Sequence, residues 1–451
     1  MSIHSLKPAT PESYELLHRG CIALGRAECH GMRIDTNVLA ANKRQAQTEI
    51  LDIDAWMRTQ SEYTLQRRRF GSETNPMSRE QLAVVLYADM GLPYAGERGA
   101  KGQYLLPEER LEDIGTPYST AFSRRAALEK ALSTYLDGLE KEIVNGRVHP
   151  FFNLHNIITY RSSGDSPNIQ NQPVREQWLA QLIRTIFVPD EDQVLIEIDF
   201  SGAEVIVAAC YHQDPTMIEY LNNGYDLHSA MAAELWRLSG KVPKPVRQEA
   251  KGKFVFAEFY GDYYKQVGAN LWKVSEDLGL KPHMETVGLR TEALFIEHVR
   301  EVERRFWKQR FPIYDQWRER WWRAYCQRGV CYTHTGFRVW GNHFSRNQII
   351  NNPIQGSAFH CLLKSFIEID RRLRDTNMRT RLIGQVHDSL LATAPRNEVA
   401  EFTGMANEVM TNWLAAQWPW LIIPMKIEVD ASHENWFSKK PLAVGVNYEC
   451  N

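Results

Sequence analysis

The sequence predicts an α+β protein in which mainly helical lobes surround a small β platform. Two β-rich runs, VLIEIDF at 194–200 and RLIGQVHDSLLATA at 381–394, read as strands, and each meets an aspartate where it ends or turns. Long stretches at 36–145 and 245–327 read as mainly helical. The composition is that of a chain able to bury a large core, with 451 residues, 43% hydrophobic, and 13 Trp, 18 Tyr and 18 Phe. At about 100–200 residues per domain it holds roughly two to four structural units.

In chain order, the first dozen residues form a polar lead-in, and apolar Leu16, Leu17, Ile22, Ala23 and Leu24 predict a helix over 13–28. His30-Gly31 stops it before the strand-like word MRID. The helical stretch that follows carries a basic run, Arg67 to Arg69, and a loop around Gly96 to Gly102. VLIEIDF should feed an Ala-rich helix, while GVCYTHTGFRVWG at 329–341 has the form of a hairpin closed by Thr335-Gly336. A helix is expected over 351–370, opening with Pro353. RLIGQV and SLLATA read as strands meeting at His387-Asp388, with a helix and a strand beyond.

Fifty-three basic against 55 acidic residues give a formal charge of −2, which excludes a globally basic nucleic-acid coat but leaves room for a local basic groove. The seven Cys include no CxxC pair, so neither a disulfide framework nor a zinc ribbon is suggested, and a reducing compartment is expected. No signal-peptide core and no apolar run of membrane-spanning length is present, so a soluble, cytoplasmic protein is expected, with no membrane partner.

A lone aspartate at a strand end is ordinarily a turn former or cap. Here the surrounding words form an ordered set. Asp199-Phe200-Ser201-Gly202-Ala203-Glu204, then Arg247, Lys251 and Tyr260-Gly261, then Gln385-Val386-His387-Asp388-Ser389, are accompanied by SSGDSPNIQNQP (162–173), DLHSAMAAELW (226–236) and NNPIQGSA (351–358). Across nearly its whole length the chain thereby resembles the family A, DNA polymerase I-like, DNA polymerases, in a compact phage-type form.

The resemblance implies a right-hand polymerase with an antiparallel β palm and mainly helical thumb and fingers. Residues 1–35 are a palm-associated N-terminal segment, 36–149 the thumb, 150–208 and 348–451 the palm, and 209–347 the fingers. It implies extension of a primer-template by dNTPs, in replication or repair. Asp199, Asp388 and Lys251 are then the catalytic residues, with Asp199, Asp388 and the backbone carbonyl of Phe200 holding two Mg²⁺ ions, for which Mn²⁺ could substitute. Hard cations want such oxygen ligands, and in-line phosphoryl transfer suits a two-ion site. Arg247, Lys251 and His228 are implied as triphosphate contacts, and Arg247 and Lys251, four apart, share a helix face. Glu204 with Tyr260 is implied as the gate against a ribose 2′-OH, with Phe256 near the sugar. Arg161, Asn168, Gln170, Asn171, Asn351, Gln355 and His387 are implied as DNA contacts that read duplex shape.

The pattern departs from the family in three places. Ser389 stands where many relatives place a second acid beside the catalytic aspartate. Lys251 and Tyr260 are nine residues apart rather than the usual eight, which in a regular helix turns one about 180° from the other. A π-type widening or break between Lys251 and Phe256, eased by Gly252, would restore the register, and Lys253 is the alternative phosphate contact. Near Arg346 the match is offset by one, and that residue carries no assignment. The family-like word GMRID begins at Gly31, and thirty residues are too few for a nuclease domain. No intrinsic 3′–5′ proofreading is therefore expected, so that a separate exonuclease, helicase or processivity factor would be partners of a monomer. The rival readings are a single-subunit RNA polymerase-like enzyme, opposed by Glu204, and a catalytically silent primer-template binding subunit, opposed by the retained aspartates.

Overall fold

The computed structural model describes residues 8–94, 96, 98–173, 176–341 and 343–448. Cys450 and most of the polar lead-in lie outside them. Among the described residues twelve strands form: β1 Met32–Ile34, β2 Arg147–Val148, β3 Phe151–Asn153, β4 Ser163–Asp165, β5 Phe187–Val188, β6 Gln193–Phe200, β7 Val330–Tyr332, β8 Arg338–Trp340, β9 Arg381–Val386, β10 Ser389–Pro395, β11 Ile427–Ser432 and β12 Lys440–Pro441. Five of them make the platform, an antiparallel sheet in the order β12-β11-β6-β10-β9. Its central strand is β6, where Val194, Leu195, Ile196 and Ile198 are fully buried. The word MRID becomes β1, which joins β2 and β5 in a small sheet of its own. The hairpin read at 329–341 forms as β7 and β8, with Gly336 at a positive φ of 83° in the turn.

Helices make up most of the rest. Pro11–His30, capped by Thr10, packs on the long Arg346–Asp375 helix and on β9. Gly20 abuts Leu363, Arg26 pairs with Asp370 at 2.7 Å, and His30 Nδ1 meets the Leu382 carbonyl at 2.9 Å. Between Thr36 and Lys141 the chain is an arm of helices whose outer part has a second core of Met57, Leu82, Leu86, Tyr118 and Phe122. Between Ala203 and Arg328 a second helical lobe is filled with aromatics, including buried Trp236, Phe254, Phe295, Phe306 and Tyr314.

One boundary differs from expectation. The 346–375 helix does not open at Pro353, because Ser345 and Gln348 form a capping box two turns earlier. A proline inside a helix cannot donate to the carbonyl four residues back. Here that carbonyl, on Ile349, accepts from Trp321 Nε1 at 3.1 Å, so the missing bond is replaced from the neighbouring Pro312–Arg328 helix. Three residues on, Gly356 lets the helix meet the segment before Arg161 so closely that a Cβ there would lie 2.4 Å from the Thr159 carbonyl oxygen.

Candidate active site

Sheet register brings the two aspartates together. Asp199 stands near the end of β6, and its partner across the ladder on β10 is Ser389, the residue after Asp388. The Phe200 amide donates to the Asp388 carbonyl at 3.4 Å, and His387 takes a positive φ of 50° in the turn joining β9 to β10. Cross-strand neighbours lie about 5 Å apart, so the two carboxylates open into one space. That space is a cavity of about 420 Å³ lined by both aspartates, Phe200, Arg161, Glu204, Lys251, Phe256, Tyr260, Asn351 and His387.

Its second wall is the helical run of Lys244–Ala250, Lys251–Phe256 and Ala257–Tyr260, whose middle section is a π-helix. The widening expected from the nine-residue interval therefore occurs, and it sets Lys251, Phe256 and Tyr260 on the cavity together. Lys253 faces elsewhere and pairs with Glu249 at 2.7 Å. Gly261, at a positive φ of 93°, ends the run. Asn347 and Asn351 of the 346–375 helix hold this end by donating to the carbonyls of Gly261 (3.1 Å) and Tyr260 (3.2 Å).

A hydrogen-bonded bridge joins the two walls. Tyr260 donates its hydroxyl to Glu204 Oε2 at 2.5 Å, and Arg161 Nη2 donates to Glu204 Oε1 at 2.6 Å and to Asp388 Oδ1 at 3.1 Å. Burial raises the pKa of Glu204, and Arg161 and the Tyr260 hydroxyl pull it back. Asp199 faces the cleft, yet the protein around it, followed by the carboxylates of Asp388, Glu197 and Glu428, pushes its pKa up to about 7. Among the described residues no hydrogen bond or ion pair neutralises Asp199. A carboxylate so crowded by its own kind wants a cation, and with Asp388 it offers the hard oxygen donors that a divalent metal takes. No group of three or more His, Cys, Asp or Glu side chains among the described residues forms a metal cage, so the other ligands would come from backbone, water and substrate.

Three predicted residues lie at or beside the rim of this cavity. Arg247 Nε donates to Asp226 at 2.8 Å, which holds Asp226 down to about 2 despite some burial. His228 sits with its ring 5.8 Å from that of Phe256, and burial, then Arg247 and Lys251, lower its pKa to about 4. Its buried Nδ1 has no protein partner. Lys251 Nζ lies 5.4 Å from the centre of the Phe256 ring. Arg247, implied with Lys251 as a triphosphate contact, does not line the cavity and is paired with Asp226, a partner that the family motif does not reveal.

The remaining expectations divide. Gln170 is 7% exposed and donates to Gln385 Oε1 (2.7 Å) and Ser162 Oγ (2.8 Å), so its side chain braces the turn before Asp388 rather than facing a groove. Asn168 is also committed within the protein, capping its own segment by accepting from the Gln170 amide at 2.9 Å. Asn171 is exposed, and Gln355 is half-buried outside the lining. Sequence reasoning missed Glu197, Glu428 and Lys439 around Asp199. The alternation in IEID, which puts Glu197 and Asp199 on one strand face, was the available signal.

The comparisons agree with this geometry. A family model described as DNA polymerase family A matches residues 55–438. The chain is 28% identical over 431 residues to the thermostable DNA polymerase I of Thermus thermophilus, covering 92% of this chain and 47% of that protein. It is likewise 28% identical over 438 residues to DNA polymerase I of Geobacillus stearothermophilus, covering 92% and 45%. The chain thus spans about half the length of the curated relatives it matches. Among solved structures, the POL domain of Pol1 from M. smegmatis, in complex with DNA primer-template and dNTP, has a similar fold, with a TM-score of 0.74 at 23% identity over 94% of this chain and 70% of that one.

Proposed function

Because this chain belongs to DNA polymerase family A, we propose that its cavity extends a primer 3′ end on a DNA template with deoxynucleoside triphosphates. One observation carries the reading: an aspartate on a sheet strand and another in the adjoining turn face a cationic helix across a cavity of about 420 Å³, as in-line phosphoryl transfer requires. Palm is assigned to 150–208 and 348–451, fingers to 209–347 and thumb to 36–149, with 1–35 on the palm.

Two Mg²⁺ ions held by Asp199, Asp388 and the Phe200 carbonyl would supply activation of the primer hydroxyl and stabilisation of the leaving pyrophosphate. The chain's own residues then act as follows. Lys251 brings a point charge to the triphosphate, and Arg247 reaches it by exchanging Asp226 for phosphate oxygens. His228, neutral at pH 7, offers a hydrogen bond from its ring. Phe256 and Tyr260 form the apolar floor beneath the sugar, and the Tyr260–Glu204 bond closes the side on which a 2′-OH would project. Arg161 ties that gate to Asp388 and, with Asn351, meets the duplex edge. Asn171, Gln355 and His387 are assigned to the same duplex, whereas Gln170 and Asn168 shape its support.

Primer extension with Mg²⁺ or Mn²⁺ and each class of nucleotide tests this. Templated dNTP incorporation is expected, and preferential rNTP incorporation or mere binding would overturn it. A mismatched primer incubated with this 451-residue chain and no dNTP should stay full length. Among the described residues no helix is long and apolar enough to cross a membrane.

A further inference from the structure

Behind the two aspartates lies a carboxylate that does not line the cavity. Glu197 is two residues before Asp199 on β6, so both side chains leave the same face of the strand. Across the ladders that face continues with Ser389 opposite Asp199 on β10, and with Glu428 and Asp430 opposite Asp199 and Glu197 on β11. Glu197 is nevertheless well satisfied. Its Oε2 accepts from Trp436 Nε1 at 2.7 Å and lies 2.8 Å from Lys439 Nζ, and its Oε1 lies 3.0 Å from Ser389 Oγ.

Ser389 leads back to the reaction centre, while Lys439 and Trp436 anchor the carboxylate from behind. The Ser389 hydroxyl shares its one proton between Glu197 Oε1 and the Val386 carbonyl, 2.8 Å away, and so spans the turn that presents Asp388. Lys439 touches Asp430 at 2.9 Å as well, so one ammonium group ties Glu197 on β6 to its cross-strand neighbour on β11. Trp436 is fully buried, edge-on to Phe187, with the Arg184 guanidinium 4.1 Å from its ring centre. Held at both oxygens, Glu197 cannot swing into the cavity, but it can fix what does.

We propose that Glu197 is a positioning residue for the aspartate pair. Through Ser389 it holds the 386–389 turn and hence Asp388, and through Lys439 and Asp430 it pins β6 to β11 just behind Asp199. It supplies from β6 the acid that position 389 lacks. This inference rests on reading the cavity as a nucleotidyl-transfer centre.

The test uses the full chain on a primer-template, with single-turnover extension, dNTP half-saturation, Mn²⁺ affinity by electron paramagnetic resonance and thermal melting measured for each protein. Outer partners of metal ligands typically matter by about 10- to 100-fold, and Glu197→Ala and Ser389→Ala should each lower the extension rate by about that much. Mn²⁺ affinity should fall alongside, with dNTP half-saturation changed by less than about threefold. The double variant Glu197→Ala/Ser389→Glu, which returns an acid to the turn, should recover at least about tenfold of the Glu197→Ala loss. Should Glu197→Ala not fold, Ser389→Ala and the isosteric Glu197→Gln decide the matter. Rates and Mn²⁺ affinity within about threefold of wild type in the folded variants, or losses that follow melting temperature and are not recovered by the relocated acid, overturn the proposal. A wild-type chain that extends no primer overturns the polymerase reading instead.

Discussion

The sheet wall of the cavity and the helix wall opposite hold their functional groups in different ways. Asp199 and Asp388 are fixed by ladder register, because Asp199 is paired on both sides and Asp388 sits in a turn tied to its neighbour strand. A slip of one residue would send Asp199 to the other face. Lys251, Phe256 and Tyr260 instead depend on the phase of a helix, and that phase has been reset by one π turn. Strands fix which face a residue meets, whereas a helix can absorb an extra residue and still present the same groups.

The strongest way to break this comparison is on the sheet. Asp199→Ala and Asp388→Ala should each lower single-turnover extension by at least about 10³-fold, as loss of a metal ligand worth several kcal/mol implies. Primer-template affinity, read by fluorescence anisotropy, should change little. Extension preserved in either variant would show that the sheet wall does not carry the chemistry.

Next comes the helix. Lys251→Ala should reduce kcat/KM for dNTP by about 10²-fold, while Lys253→Ala, which loses only a half-exposed pair with Glu249, should stay within about threefold. Deleting Gly252 restores the eight-residue interval and should retain most activity, whereas inserting an alanine after Phe256 turns Tyr260 by about 100° and should abolish sugar discrimination. Equal losses from deletion and insertion would mean that the π turn has no part in the register.

A smaller effect is expected at the bridge between the walls. Glu204→Ala removes the acceptor of both Tyr260 and Arg161 and should raise the rNTP to dNTP ratio of kcat/KM by about ten- to hundredfold. An unchanged ratio would place the gate elsewhere.

The smallest effect is one of stability. Glu258, sealed on the far side of the helix and bonded to Trp307 Nε1 at 2.7 Å, has its pKa pushed up to about 8 by burial and then by Glu303. Between the ordinary value of 4.5 and 8 the folded chain holds a proton that the unfolded chain releases, so this residue's contribution falls as pH rises through that window. Glu258→Gln, neutral throughout, should be the more stable protein above pH 8, by about 1–3 kcal/mol in urea unfolding. Below pH 4.5 the two should coincide.

What could be read in advance follows the same division. The sheet strands and their aspartates were legible because β-rich runs end or turn at acids within ordered words, and the π turn because an interval conflicted with a helix period. The start of the 346–375 helix was not, since Pro353 looks like a first-turn residue until Trp321 is seen to take the carbonyl that Pro353 leaves. Gln170 and Arg247 took their roles from the family resemblance, but a sequence does not display Gln385 or Asp226 as their partners. Glu197 was hidden for a related reason, because its role comes from Ser389, Trp436 and Lys439, distant along the chain and adjacent only across the sheet.

The close approach at Gly356 bears on how such a protein can be altered. Any side chain there would press on the Thr159 carbonyl, and the strain would pass two residues along the backbone to Arg161, which holds both Glu204 and Asp388. A library randomised only around the cavity would never sample this position, while one spread over the whole chain would find it among the least forgiving. The tolerance of the site to mutation is thus set partly by a residue with no side chain, one whose contribution is to leave space.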